Sequence, residues 1–133
     1  MRVGRATAAA AAAAALAGSG CGGDGTDATA KDGVVRVTVR EYRIDPQDWE
    51  VPAGRVRIVV TNRGRLAHNL AVESLTQEVD DRPRQYGRSE VALPGQTVGF
   101  RSRRLRPGTY RLACTLANHD RLGQWGTLRV RAR

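Results

Sequence analysis

The chain has 133 residues, enough for one domain and too few for several, and a formal charge of +9 from 22 Lys and Arg against 13 Asp and Glu. Its single Phe and three Tyr leave any core mostly aliphatic. The basic balance raises nucleic acid as a ligand, but no RNA- or DNA-binding motif accompanies it, and the leader described next points to export.

Residues 1–20 read as a signal peptide of lipoprotein type. Arg2 and Arg5 form a short positive region, and Ala6–Ala17 is an apolar run too short to span a bilayer as a stable helix. Ser19-Gly20-Cys21 resembles the end of a bacterial lipoprotein cleavage box, in which Cys21 becomes the acylated first residue; Gly18 stands where Leu is usual. Two other readings of Cys21 are ordinary cleavage that leaves a free thiol and a disulfide to Cys114. Residues 21–33, polar and rich in Gly, Asp and Thr, read as a flexible tether. Without residues 1–20, which hold two arginines and no acid, the charge is +7. A positive exported domain suits anionic lipid or an acidic partner protein, and it equally describes an ordinary solvated surface.

Residues 34–133 form the expected domain. Val35, Val37 and Val39 alternate with Arg36, Thr38 and Arg40, the pattern of a half-buried strand. Tyr42-Arg43-Ile44 bends or extends it before Asp45-Pro46. Val51 opens a short extended piece, and Pro52-Ala53-Gly54 turns into a second alternating strand at Val56, Ile58 and Val60. Leu66–Val72 reads as a third strand that carries His68. Glu73–Glu90 is polar and reads as a long connection. Leu93-Pro94-Gly95-Gln96 and Arg106-Pro107-Gly108 are turns, the second leading into Tyr110–Cys114, and Leu128 and Val130 belong to the last strand. Short strands, Pro/Gly turns and no helical period imply an all-β fold, an antiparallel sandwich.

The chemistry lies in few residues. Outside the leader region there is one thiol, Cys114, and there are two imidazoles, His68 and His119. A thiolate, two imidazoles and a weak fourth ligand make up a blue-copper electron-transfer site. Cys114 ends an alternating segment, and Gly123 can take a positive φ just before Gln124, so Cys114, His119 and Gln124 can converge from one loop. Zinc is the chemical rival, since Cys and two His with an open position can be catalytic. That would need a carboxylate base, and Asp120 beside His119 is poorly placed to serve.

The pieces Glu41-Tyr42-Arg43-Ile44, Val51-Pro52-Ala53-Gly54, Thr61-Asn62, Ala67-His68-Asn69, Leu93-Pro94-Gly95-Gln96, Pro107-Gly108-Thr109-Tyr110 and the loop from Cys114 to Gln124 together resemble the cupredoxins, the blue-copper fold family. The resemblance covers nearly all of residues 34–133. It implies a Greek-key β-sandwich and copper held by His68, Cys114, His119 and, weakly, Gln124. The family's axial residue is usually Met; this chain has only Met1, and Gln124 resembles the stellacyanin branch. The resemblance further implies that Asn69 ties the His68 segment to Thr115, although Asn69 as a simple turn cap is the alternative. It also makes the edge of His119 an electron port. Leu66, Leu116 and Leu122 could rim that port or pack inside. Trp125 is expected to shield the site or to pack in the core.

These readings describe an exported, lipid-anchored carrier of one electron at a time, not an enzyme. It would be a monomer on the outer face of a bacterial cytoplasmic membrane, or periplasmic or secreted if Cys21 is not acylated, with a redox partner protein that its charge suggests is acidic. The alternatives are a copper-handling lipoprotein that buffers copper or delivers it to an oxidase, and a cupredoxin-like domain without a redox role. Methionine-rich arms suited to Cu(I) transfer are missing, which weighs against copper handling.

Overall fold

The computed structural model describes residues 27–133, and over them the chain is a two-sheet β-sandwich. The strands are β1 (Asp27–Thr29), β2 (Val34–Arg40), β3 (Arg43–Asp45), β4 (Asp48–Pro52), β5 (Arg57–Asn62), β6 (Ala71–Val79), β7 (Arg82–Arg88), β8 (Thr97–Arg101), β9 (Gly108–Ala113) and β10 (Trp125–Arg131). One sheet has the order β1-β4-β10-β9-β6-β7 and the other β3-β2-β5-β8. The expected signal peptide, the Cys21 lipidation site and the first half of the expected tether lie outside the described residues.

The alternating stretches fold as their period dictates. Val35, Val37 and Val39 of β2 and Ile58 and Val60 of β5 point into the sandwich, where they meet Trp49, Val51, Leu70, Val72, Leu112, Leu128 and Val130 from the other sheet side. Burying each such aliphatic side chain is worth roughly 1.5–3 kcal/mol, so this interleaved layer is the main source of cohesion. The outward residues of β2 and β5 include Arg36, Arg40 and Arg57, which keep their charge in water.

Four expectations change. The sheets are mixed: β2 pairs parallel with β5, and β4 pairs parallel with both β10 and β1. Hairpins give antiparallel neighbours, but here the chain leaves one sheet, runs a strand in the other and returns, and a returning strand can lie parallel. The fold begins before residue 34, because β1 joins the sheet edge and Ala30 is buried, so the C-terminal part of residues 21–33 is structure and not tether. The polar stretch from Glu73 onward is a hairpin, β6 with β7, closed by Asp80 and Asp81 at φ 47° and 56°. Two positive φ values in a row are the signature of a type I′ turn, whose twist matches that of the strands. Last, Leu66–Val72 is not one strand; His68 precedes β6 and makes a lone bridge to Ala92.

Candidate metal centre

The end of the sandwich where β5, β9 and the start of β10 meet carries the site. Cys114 directly follows β9, and its N–H donates to the Gln124 carbonyl at 3.1 Å, which pins the two ends of the intervening loop together. Inside the loop His119 N–H donates to Leu116 O, and Gln124 N–H donates to His119 O at 3.0 Å. Ala117 at φ 47° and Gly123 at φ 111° supply the left-handed turns that let so short a loop close. His68 arrives from the other sheet's side. Its backbone exchanges two hydrogen bonds with Ala92, at 3.1 and 2.7 Å, so its position does not depend on the loop.

These supports bring His68, Cys114 and His119 together, with ligand atoms that all lie within 4.8 Å of one another. His68 and Cys114 are buried, whereas His119 is partly exposed. The Cys114 sulfur lies 3.6 Å from His119 Nδ1. Gln124 is fully buried and joins them: its Oε1 is 2.9 Å from His68 Nδ1, and its Nε2 donates to the Arg40 carbonyl at 2.7 Å. With its amide nitrogen engaged by backbone, Gln124 presents its oxygen to the ligand cluster. Burial pushes the Cys114 thiol pKa up, so the metal-free site favours the neutral thiol.

Asn69 stands as the resemblance implied. Its Oδ1 accepts the Thr115 N–H at 2.8 Å and lies 3.6 Å from the Cys114 sulfur, while its Nδ2 donates to Thr115 Oγ1 at 2.8 Å. One side chain thus joins the His68 segment to the residue after Cys114.

The donor set suits copper. A thiol and two imidazoles in a mostly buried cluster serve both Cu(I) and Cu(II), and the Gln124 amide oxygen lies beside them. Asp120, the carboxylate a zinc hydrolase would need, is engaged by Arg111 Nη2 at 3.1 Å.

Two features escaped the sequence. Trp125 lies on the outward face of β10 and is 44% exposed, with the Arg111 guanidinium 5.9 Å from its ring centre, so it is not core packing. Tyr42 packs edge-on against His119, with ring centroids 5.2 Å apart. The second is Glu41, whose carboxylate oxygen Oε1 is 3.0 Å from His68 Nε2 and accepts the N–H groups of Arg65 and Leu66 at 2.7 and 2.8 Å. The Leu66 N–H, then His68 and Arg65, lower the Glu41 pKa to about 2. Glu41 opens a stretch that the sequence already marks, but only the fold places it beside a loop more than twenty residues away.

Comparison with known proteins agrees with this picture. A family model described as a cupredoxin-like domain matches residues 6–124. No curated protein sequence matches the chain significantly. Among solved structures, dithionite-reduced auracyanin from the photosynthetic bacterium Roseiflexus castenholzii is similar, with TM-score 0.66 and 18% identity over 77% of this chain and 99% of that one. Auracyanin B is also similar, with TM-score 0.62 and 21% identity over 74% of this chain and 88% of that one. Auracyanin A, a "blue" copper protein from the green thermophilic bacterium Chloroflexus aurantiacus, gives TM-score 0.61 and 21% identity over 74% of this chain and 99% of that one. At these identities the structural likeness speaks for the fold.

Proposed function

This chain belongs to the cupredoxin-like domain family, and on that premise we propose that it is a mononuclear blue-copper protein that carries single electrons between partner proteins and is not an enzyme. His68, Cys114 and His119 would hold the copper, and Gln124 Oε1, 2.9 Å from His68 Nδ1, would offer a weak fourth donor. The observation that carries this reading is the convergence of the three strong donors within 4.8 Å on supports that are complete without metal. Bound there, copper supplies a one-electron Cu(II)/Cu(I) couple. Ligands already fixed by β9, the Ala92 bridge and Asn69 need move little when that charge changes, and a small rearrangement is what a fast carrier requires.

The electron port in this reading is His119, the one strong donor with solvent access. Beside it lies a groove of about 780 Å³ lined by Arg40, Tyr42, Arg43, Leu122 and Gly123, among others. Leu122 and Leu66 are 51% and 43% exposed, and Leu116 is half-buried, so an apolar rim with two adjacent arginines faces a partner. That pairing of features suits an acidic redox protein, since charge steers the encounter and the apolar rim completes it.

The leader suits export and Cys21 acylation, which would place the protein on the outer face of a bacterial cytoplasmic membrane. β1 runs parallel to β4 and β10, so Asp27 enters at the end of the sandwich where β10 leaves the ligand loop. With Cys21 acylated, six residues to Asp27 could span roughly 20 Å at most, which would hold the copper-bearing end near the lipid. Cys21→Ser should release the protein from membranes or block its processing; equal membrane association in both proteins would remove the anchor.

Repeated reduction and reoxidation beside a Cu(I) chelator tests the carrier reading. A carrier keeps its copper through the cycles and exchanges electrons fast with an acidic partner, at a rate that falls as salt rises. Loss of copper to the chelator at the first reduction would overturn it in favour of copper delivery.

A further inference from the structure

Glu41 follows β2 on the turn toward β3, outside the four ligands, yet its carboxylate is a built element of the site. One oxygen, Oε1, takes three donors: Arg65 N–H at 2.7 Å, Leu66 N–H at 2.8 Å and the His68 Nε2 edge at 3.0 Å. Gly64 leaves the room, because a Cβ there would run into the Glu41 carboxylate. Asn62 holds the same loop from below, accepting Gly64 N–H at 2.8 Å and donating to the Leu66 and Ala92 carbonyls, both at 2.8 Å. The loop is therefore shaped around a carboxylate at this spot.

The position matters because an imidazole has two different edges. The His68 Nδ1 edge faces Gln124 Oε1 and the ligand cluster, and the Nε2 edge faces Glu41. A carboxylate accepts and cannot donate while ionised, so the nitrogen beside it keeps its hydrogen. The other nitrogen is then free to offer its lone pair inward. Carboxylate–histidine–metal relays fix tautomer and ring orientation and make the ligand more basic.

We infer that Glu41 is a positioning residue of the copper site, which locks His68 with Nε2–H outward and Nδ1 toward the metal and favours Cu(II) over Cu(I) through its negative charge. The inference rests on the reading that His68 binds copper. The charge enters because oxidation adds one positive charge to the site, and a fixed anion one imidazole away stabilises that state more. The side chain is 28% exposed, so water screens the effect without removing it.

The test uses the copper-loaded protein, Glu41→Gln and Glu41→Ala, with voltammetry and proton NMR of the diamagnetic Cu(I) form. Glu41→Gln keeps an oxygen for the Arg65 and Leu66 N–H groups and for Nε2–H, but loses the charge. Partners of this kind change metal binding about 10–100-fold. If that change falls on Cu(II), the potential of Glu41→Gln rises by roughly 60–120 mV, at about 59 mV per tenfold for one electron. The His68 Nε2–H resonance is sharp and far downfield in wild type, moves upfield in Glu41→Gln, and is lost to solvent exchange in Glu41→Ala. A wild-type potential and an unmoved His68 resonance in Glu41→Gln would overturn the inference and leave Glu41 a loop staple. Should Glu41→Ala fail to fold, Glu41→Gln alone decides. A blue wild type with an insensitive Glu41→Gln sinks only this inference, whereas a colourless wild-type complex sinks the copper reading beneath it.

Discussion

Asn69→Ala tests whether the site is held by protein alone. Asn69 is 4% exposed, and the substitution removes the acceptor of the Thr115 N–H and the donor to Thr115 Oγ1, both at 2.8 Å. A partly buried N–H left without a partner costs about 1–3 kcal/mol, and the second bond adds roughly 0.5–1.5 kcal/mol. The expected loss is therefore about 2–4 kcal/mol in the metal-free protein. For a domain of this size that corresponds to a fall in Tm of roughly 10–30 °C. Thr115→Val keeps the Thr115 N–H bond to Asn69 Oδ1 and loses only the hydroxyl, so it should cost less, about 1–2 kcal/mol. The two substitutions share one contact and should be non-additive in a double-mutant cycle. Urea unfolding of the four metal-free proteins measures all of this. A loss below about 0.5 kcal/mol for Asn69→Ala, or a larger loss for Thr115→Val, would refute the assignment of Asn69 as the clasp, because surface substitutions without structural consequence fall in that range.

Gln124→Met should raise the reduction potential, since thioether sulfur supports Cu(I) better than an amide oxygen does, and Gln124→Leu should differ from it; identical potentials in the two would remove Gln124 from the site. Both substitutions also strip the Arg40 carbonyl of its donor and should destabilise the metal-free protein by about 1–3 kcal/mol. The Glu41 pKa lies near 2 in the fold against 4.5 ordinarily, so its contribution to stability is complete above pH 4.5 and disappears as pH falls through about 2. The stability gap between metal-free wild type and Glu41→Gln should close over that window, and a gap independent of pH would contradict it. Glu73 behaves with the opposite sign: burial raises its pKa, so the fold favours its neutral form and loses stability as pH rises through the raised value. Glu73→Gln should then be neutral or stabilising at pH 7 in urea unfolding, and a clear loss would show that its charge on Arg111, 3.9 Å away, outweighs burial.

Strands with one wet face and one dry face were legible, as Val35, Val37 and Val39 show, because period two is a direct consequence of burial on one side. The β6–β7 hairpin was not. All of β7, and Leu75, Thr76 and Gln77 of β6, are exposed or half-buried, so no apolar alternation marks them, and an Asp-Asp turn lacks the glycine that usually signals type I′. Parallel pairing was hidden for another reason: a strand's sequence reports its burial and not the direction of its neighbour. At the site, His68, Cys114, His119 and Gln124 stood out through residue type, scarcity and spacing, and the structure brings all four together. Glu41 and the Arg111–Asp120 pair did not, since a carboxylate after a strand looks like any solvated charge until the fold supplies its donors. The core alternative for Trp125 fails because a large aromatic at a strand start suggests packing inside, whereas the strand period points it outward.

The most direct measurement is the visible spectrum of the purified protein with one equivalent of Cu(II). Cu(II) held by the Cys114 thiolate with His68 and His119 would give an intense thiolate-to-copper charge-transfer band, so the solution should turn blue or green, and Cys114→Ser should leave it colourless. A colourless wild-type complex, or a band that survives in Cys114→Ser, would contradict the account.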